Sequence, residues 1–79
     1  MKKVEIYSTP TCTYCNMAKE FFKKNNIAYT EYNVAADATK RAEMVEKSGQ
    51  MGVPVIEIDN QVVVGYDQKL ISGLLGLTA

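Results

Sequence analysis

Histidine is absent from this chain of 79 residues. That removes cysteine–histidine nucleophile pairs and every histidine-containing metal site. Charge imbalance is absent too. Nine basic and nine acidic side chains cancel, which leaves no electrostatic argument for nucleic acid or an anionic membrane surface. No run of about 18 apolar residues occurs, so no transmembrane helix is expected. The basic start at Lys2 and Lys3 is interrupted at Glu5 with no small-residue cleavage site behind it. A signal peptide is therefore not expected, and a reducing cytoplasm is the default compartment. No repeat, low-complexity segment or Pro/Gly/Ser-rich linker divides the chain. Its length suits one domain, residues 1–79, with a small core.

Cysteine is scarce but placed tellingly. Its only two occurrences are Cys12 and Cys15, as Cys12-Thr13-Tyr14-Cys15. Thiols three residues apart can close a disulfide, which needs Cα atoms roughly 4.4–6.8 Å apart. In a reducing compartment such a pair is more often catalytic or metal-binding than a structural staple. Three readings stand at this point: a structural bridge, half of a zinc site completed by a second chain, and a reactive dithiol. Structural zinc wants four Cys or His ligands, and this chain offers two.

The surrounding pattern narrows them. Val4-Glu5-Ile6-Tyr7 alternates and reads as a strand, broken by Ser8-Thr9-Pro10-Thr11. A helix should follow with Thr11 as its N-cap. Met17 with Phe21, and Ala18 with Phe22, recur at helical spacing, Lys19, Glu20, Lys23 and Lys24 face outward, and Asn25-Asn26 ends it. Residues 27–34 read as a second strand, parallel to the first across a right-handed crossover. Asp37 caps a second helix running through Lys47, with Glu43–Lys47 paired on its face and Gly49 as its stop. Val55–Ile58, an Asp59-Asn60 turn and residues 61–64 form a hairpin. Asp67 caps a last helix bearing Leu70, Ile71, Leu74 and Leu75, which Gly76 stops and Gly73 weakens by about 1 kcal/mol. The order β-α-β-α-β-β-α, with Cys-x-x-Cys after the first strand, describes an α/β thioredoxin-like fold: a four-stranded mixed sheet flanked by three helices.

On that frame the dithiol has a division of labour. Cys12 lies in the first helical turn, where free N–H groups and the helix dipole stabilise a thiolate. Cys15, about one turn later, should be more buried. Cys12 is thus the expected nucleophile and Cys15 the resolving thiol. A cysteine with pKa about 8.5 is only roughly 3% thiolate at pH 7, so stabilising the anion increases the reactive fraction, although intrinsic nucleophilicity falls along with pKa. Lys2, Lys3 and Lys19 are not obviously placed to help. Tyr14 either covers the dithiol or a partner, or is an exposed loop aromatic.

Ile6-Tyr7-Ser8-Thr9-Pro10-Thr11-Cys12-Thr13-Tyr14-Cys15 resembles the glutaredoxin family's strand followed by Cys-Pro-Tyr-Cys. Gly52-Val53-Pro54 resembles its Thr-Val-Pro, and Val64-Gly65-Tyr66-Asp67 sits where the family has Gly-Gly-x-Asp. The resemblance implies a dithiol–disulfide oxidoreductase that exchanges electrons with protein disulfides or glutathione mixed disulfides. It implies no tightly bound cofactor or metal, and glutathione as co-substrate. It also implies that Pro54 is cis, and that the Val53 backbone pairs with an extended substrate. Tyr14, Val53, Pro54, Gly65, Tyr66 and Asp67 become the expected substrate-binding residues, with Asp67 at a helix N-terminus suited to a carboxylate. Asp67 also has the plainer role of capping its helix.

Three positions depart from the pattern. Thr9 stands where the family has a Lys, Val64 replaces the first Gly, and Gln68 replaces an acidic residue. The segment from Val53 to Tyr66 also resembles glutaredoxin-like redoxins that are reduced by thioredoxin reductase and feed ribonucleotide reductase. The electron donor is therefore glutathione or thioredoxin reductase, and a monomer is expected. A rival from another class is a protein holding an iron–sulfur cluster between two chains through Cys12, a use known in glutaredoxins with a non-Pro residue, as Thr13 is, after the first Cys.

Overall fold

The computed structural model describes residues 3–77; Lys2 lies outside them. Seven elements follow one another: β1 (Val4–Ser8), α1 (Thr13–Lys24), β2 (Thr30–Asn33), α2 (Ala38–Ser48), β3 (Val55–Ile58), β4 (Gln61–Val64) and α3 (Gln68–Leu75). The strands lie in the order β2-β1-β3-β4. β1 runs parallel to β2 and antiparallel to β3, and β3 pairs antiparallel with β4. This is the four-stranded mixed sheet expected of a thioredoxin-like fold.

Period-2 alternation divides the sheet's two faces between two cores. Val4 and Ile6 of β1 pack with Ala18 and Phe22 of α1 and Ile71 of α3, joined by Ile56, Ile58 and Val63. Tyr7 and Val55 face the other way and pack with Val34 and with Met44 of α2. α1 and α3 therefore share one face and α2 covers the other. All five residues of β1 are buried, as a central strand requires. The loop that follows it is thus anchored on the most enclosed strand of the molecule.

The helix ends carry out what the sequence prescribes, with one exception. Asp37 and Asp67 accept the N–H groups of Lys40 and Leu70 at 3.0 and 3.1 Å, and Gly49 and Gly76 end α2 and α3 in left-handed conformation. The exception is α1, whose N-cap is Cys12 and not Thr11. The amide of Cys12 donates to the Thr9 carbonyl at 3.3 Å, so Pro10 and Thr11 form the centre of a turn. That places the first cysteine itself at the helix entrance.

β2 is shorter than residues 27–34 suggest. Asn26 adopts φ 57°, and Ile27 donates its N–H to the Phe22 carbonyl at 2.8 Å. Ile27 and Tyr29 then turn back onto the α1 core. The apolar character read as strand serves the closure of α1. At the hairpin, Asp59 and Asn60 both take positive φ, 47° and 72°, as a two-residue turn of this hand needs.

Candidate active site

The candidate site is built at the C-terminal end of β1. Cys12 and Cys15 are joined in a disulfide with Cα atoms 5.2 Å apart. Cys12 is half-buried, whereas Cys15 is fully enclosed at 0% exposure. The Cys15 N–H donates to Cys12 Sγ at 3.1 Å. Cys12 therefore takes the place of a capping oxygen, and its sulfur meets an otherwise unpaired helix N–H. A negative sulfur at this atom gains from that donor and from the helix dipole. Cys15 is held beneath, beyond the reach of a bulky partner but next to Cys12.

A second loop borders the first. Val55 pairs with Tyr7 in the β1–β3 register, so Pro54 falls beside the end of β1, from which the dithiol loop departs. The Val53–Pro54 bond is cis, as the family resemblance implies. Pro54 is buried and Val53 half-buried. Among the described residues, neither the N–H nor the C=O of Val53 has a hydrogen-bond partner. A free donor and acceptor on one residue can accept an extended chain as a short strand.

A third segment is tied to this loop. Gly65, at φ 84°, donates its N–H to the Pro54 carbonyl at 2.8 Å. Tyr66 then packs edge-on against Phe21 of α1, with ring centroids 6.3 Å apart, and its hydroxyl reaches Gln68 Oε1 at 3.2 Å. Burial pushes the Tyr66 phenol above its ordinary pKa. Thr13, between the cysteines, and Tyr66 line one groove of about 780 Å³. The expected site residues are thus linked by the Pro54–Gly65 bond, the Phe21–Tyr66 contact and this shared groove. Tyr14 projects into solvent at 61% exposure. The Asp67 carboxylate caps α3 through the Leu70 N–H.

Two features escaped the sequence reading. Lys19 does not face freely outward: its ammonium bonds Glu31 at 2.8 Å, and the buried Ser8 hydroxyl donates to the same carboxylate oxygen at 2.8 Å. The Lys19 bond, and then the Ser8 bond, hold the Glu31 carboxyl below its usual pKa. This polar cluster links β1, α1 and β2 one helical turn beyond Cys15. The other feature is apolar. Met17 and Met51 are exposed at 45% and 68%; Met17, an apolar position at helical spacing from Phe21, lines the groove beside the dithiol. Among the described residues, no cluster of three or more His, Cys, Asp or Glu side chains could hold a metal ion, and no helix is long and apolar enough to cross a membrane.

The chain is similar to known proteins in sequence and in fold. The glutaredoxin family model matches residues 4–63. A glutaredoxin-like 8.6 kDa protein of the rubredoxin operon of Clostridium pasteurianum is 46% identical over 72 residues, covering 91% of this chain and 96% of that one. Glutaredoxin 3 of Escherichia coli K12 is 40% identical over 67 residues, 85% of this chain and 81% of its own. Among solved structures, glutaredoxin 1 of Francisella tularensis superposes with a TM-score of 0.71 at 30% identity, covering 98% of both chains. A glutaredoxin of Archaeoglobus fulgidus shares the fold with a TM-score of 0.85 at 22% identity, over 95% of this chain and 87% of that one. A redox-active Cys-x-x-Cys pair at the entrance of α1, on this sheet and in this sequence company, makes the chain a thiol–disulfide oxidoreductase belonging to the glutaredoxin family.

Proposed function

We propose that the reduced chain passes two electrons to protein disulfides and is recharged by thioredoxin reductase in preference to glutathione. The Cys12 thiolate attacks one sulfur of the target disulfide. A mixed disulfide forms and the other target sulfur leaves as a thiolate. The Cys15 thiolate then attacks Cys12 Sγ, which closes the Cys12–Cys15 disulfide and frees the second target thiolate. The target gains two electrons, and two protons from solvent complete its thiols. The reductase returns the two electrons to the dithiol.

The observation that carries the order of attack is the unequal exposure of two sulfurs at one helix entrance: Cys12 half-buried with a donor at 3.1 Å, Cys15 enclosed. Support for the donor comes from charge. Glutathione carries two carboxylates and one ammonium. Thr9 supplies no cation where the family has Lys, and Gln68 supplies no charge. The Asp67 carboxylate is already engaged in capping α3, and the Tyr66 hydroxyl in bonding Gln68. Losing one charge-assisted hydrogen bond to a ligand costs about 1.5–3 kcal/mol, roughly 10- to 150-fold in affinity.

The test compares NADPH-driven reduction of a protein disulfide with two donor systems, thioredoxin reductase alone or glutathione with glutathione reductase. Turnover at least tenfold faster with thioredoxin reductase is expected. Equal or faster turnover with glutathione would contradict the donor assignment while leaving the dithiol chemistry intact.

A further inference from the structure

The groove beside the dithiol is longer than the chemistry of the disulfide requires. It starts at Thr13, between the two cysteines, and follows α1 as far as Lys24, with α3 on its other side. Eleven helical steps at about 1.5 Å each span roughly 16 Å. An extended chain covers that distance in about five residues. Met17, Phe21 and Tyr66 give it an apolar lining. Thr13, Asn16, Asn25, Gln68 and Ser72 add uncharged polar groups, and the Asn16 and Ser72 side chains have no hydrogen-bond partner among the described residues. Among the described residues, Glu20 and Lys24 are the charged ones that line it, and their charges cancel.

We infer that this groove seats the polypeptide of the target itself: a run of about five extended, uncharged, largely apolar residues flanking the cysteine that Cys12 attacks. The inference rests on the protein-disulfide reading above and adds a recognition element to it. Continuity decides the occupant. Thr13 belongs both to the dithiol loop and to the groove, so a chain leaving the mixed disulfide enters the groove directly. The apolar lining takes side chains of the segment, and Asn16 and Ser72 offer partners to its backbone. A charged tripeptide would meet no net opposite charge there.

Single-turnover oxidation of the reduced full chain by synthetic peptide disulfides tests the assignment. One peptide carries a five-residue Leu/Val/Ala flank on the N-terminal side of its reacting cysteine, a second carries it on the C-terminal side, and a third is truncated. At least one flanked peptide should half-saturate the protein at a concentration tenfold or more below the truncated one. Met17→Lys should raise that value to the truncated peptide's, and Ser72→Glu should do the same by a separate change. Leu70→Lys, on α3 outside the groove, should leave the preference unchanged. Equal half-saturation by flanked and truncated peptides in the unaltered protein would overturn the groove assignment alone. So would a preference that survives both Met17→Lys and Ser72→Glu, or a dimer at assay concentration that buries the groove. A protein oxidised by glutathione disulfide but by none of the peptides would overturn the protein-disulfide reading as well.

Discussion

The amide of Cys15 donates to the sulfur of Cys12 at 3.1 Å, across the first turn of α1. The two cysteines are therefore unequal before any partner arrives. One sulfur is a helix cap with a donor aimed at it. The other belongs to the residue supplying that donor and is closed off from solvent. The asymmetry has a direct chemical reading. In the reduced protein, a small alkylating reagent should modify Cys12 at least tenfold faster than Cys15, and the rate at Cys12 should follow its thiolate fraction. Peptide mapping after brief alkylation across a pH series checks this. Equal labelling of both residues in the folded protein would remove the basis for the ordered mechanism.

The Ser8–Glu31–Lys19 cluster makes a prediction about acid stability. The Glu31 carboxyl is held below the ordinary value of 4.5, first by Lys19 and then by Ser8. A depressed folded-state pKa contributes stability that is fully present above the unfolded value and is lost as pH falls through the folded one. Glu31 is 39% exposed, so solvent screening keeps the contribution at about 0.2–1 kcal/mol. Lys19→Met should lower Tm by roughly 1–8 °C at neutral pH, given about 4–8 °C per kcal/mol for a domain of this size. The difference from the unaltered protein should shrink below pH 4. A Tm deficit that stays constant across that range would assign the loss to packing of the lysine stem.

Tyr32 is the alkaline counterpart. Its hydroxyl donates to Glu5 at 2.6 Å, and that bond, more than burial, pushes its pKa up to about 12. Because the folded value is raised, the stability it contributes is present below about pH 10 and is lost as pH rises toward 12. A tyrosinate absorbance titration should show one of the five tyrosines ionising last. Glu5→Gln should bring that step down by removing the acceptor charge. If the late step persists in Glu5→Gln, another tyrosine is responsible for it.

Helix α3 can be made more stable. Gly73 lies inside it with nothing within 4 Å of an added Cβ. Gly73→Ala should therefore add about 0.4–1 kcal/mol, through lower unfolded-state entropy and better helix propensity. The reverse holds at Gly49, whose φ of 74° closes α2. There Gly49→Ala should cost about 1–2 kcal/mol, although its Cβ also meets open space. Chemical denaturation of the two variants measures both signs; matching shifts would contradict the conformational argument.

The parts of this fold legible in sequence are those set by local chemistry. Asp37 and Asp67 announce their helices because a carboxylate accepts an N–H three residues on. Asp59 and Asn60 announce the hairpin because few residues tolerate positive φ. Cys12 as a cap was not legible. Thr11 is the better capping residue by type, and only the Cys12-to-Thr9 hydrogen bond reveals that Pro10-Thr11 belongs to a turn. The groove was hidden for a related reason. Met17 and Phe21 are spaced like Ala18 and Phe22, and only tertiary packing shows that the second pair faces the core while Met17 borders an open channel. The Ser8–Glu31–Lys19 cluster depends on how β1, β2 and α1 are stacked, which spacing within one element does not encode.

The proposed mechanism has Cys12 attack and Cys15 resolve. The most direct measurement is mass spectrometry of the mixed disulfide formed when reduced Cys15→Ser meets a protein disulfide, alongside turnover of Cys12→Ser. The structure predicts that the mixed disulfide accumulates on Cys12 and that Cys12→Ser is inactive. A Cys12→Ser variant that keeps full turnover, with the partner attached through Cys15, would reverse that order of attack.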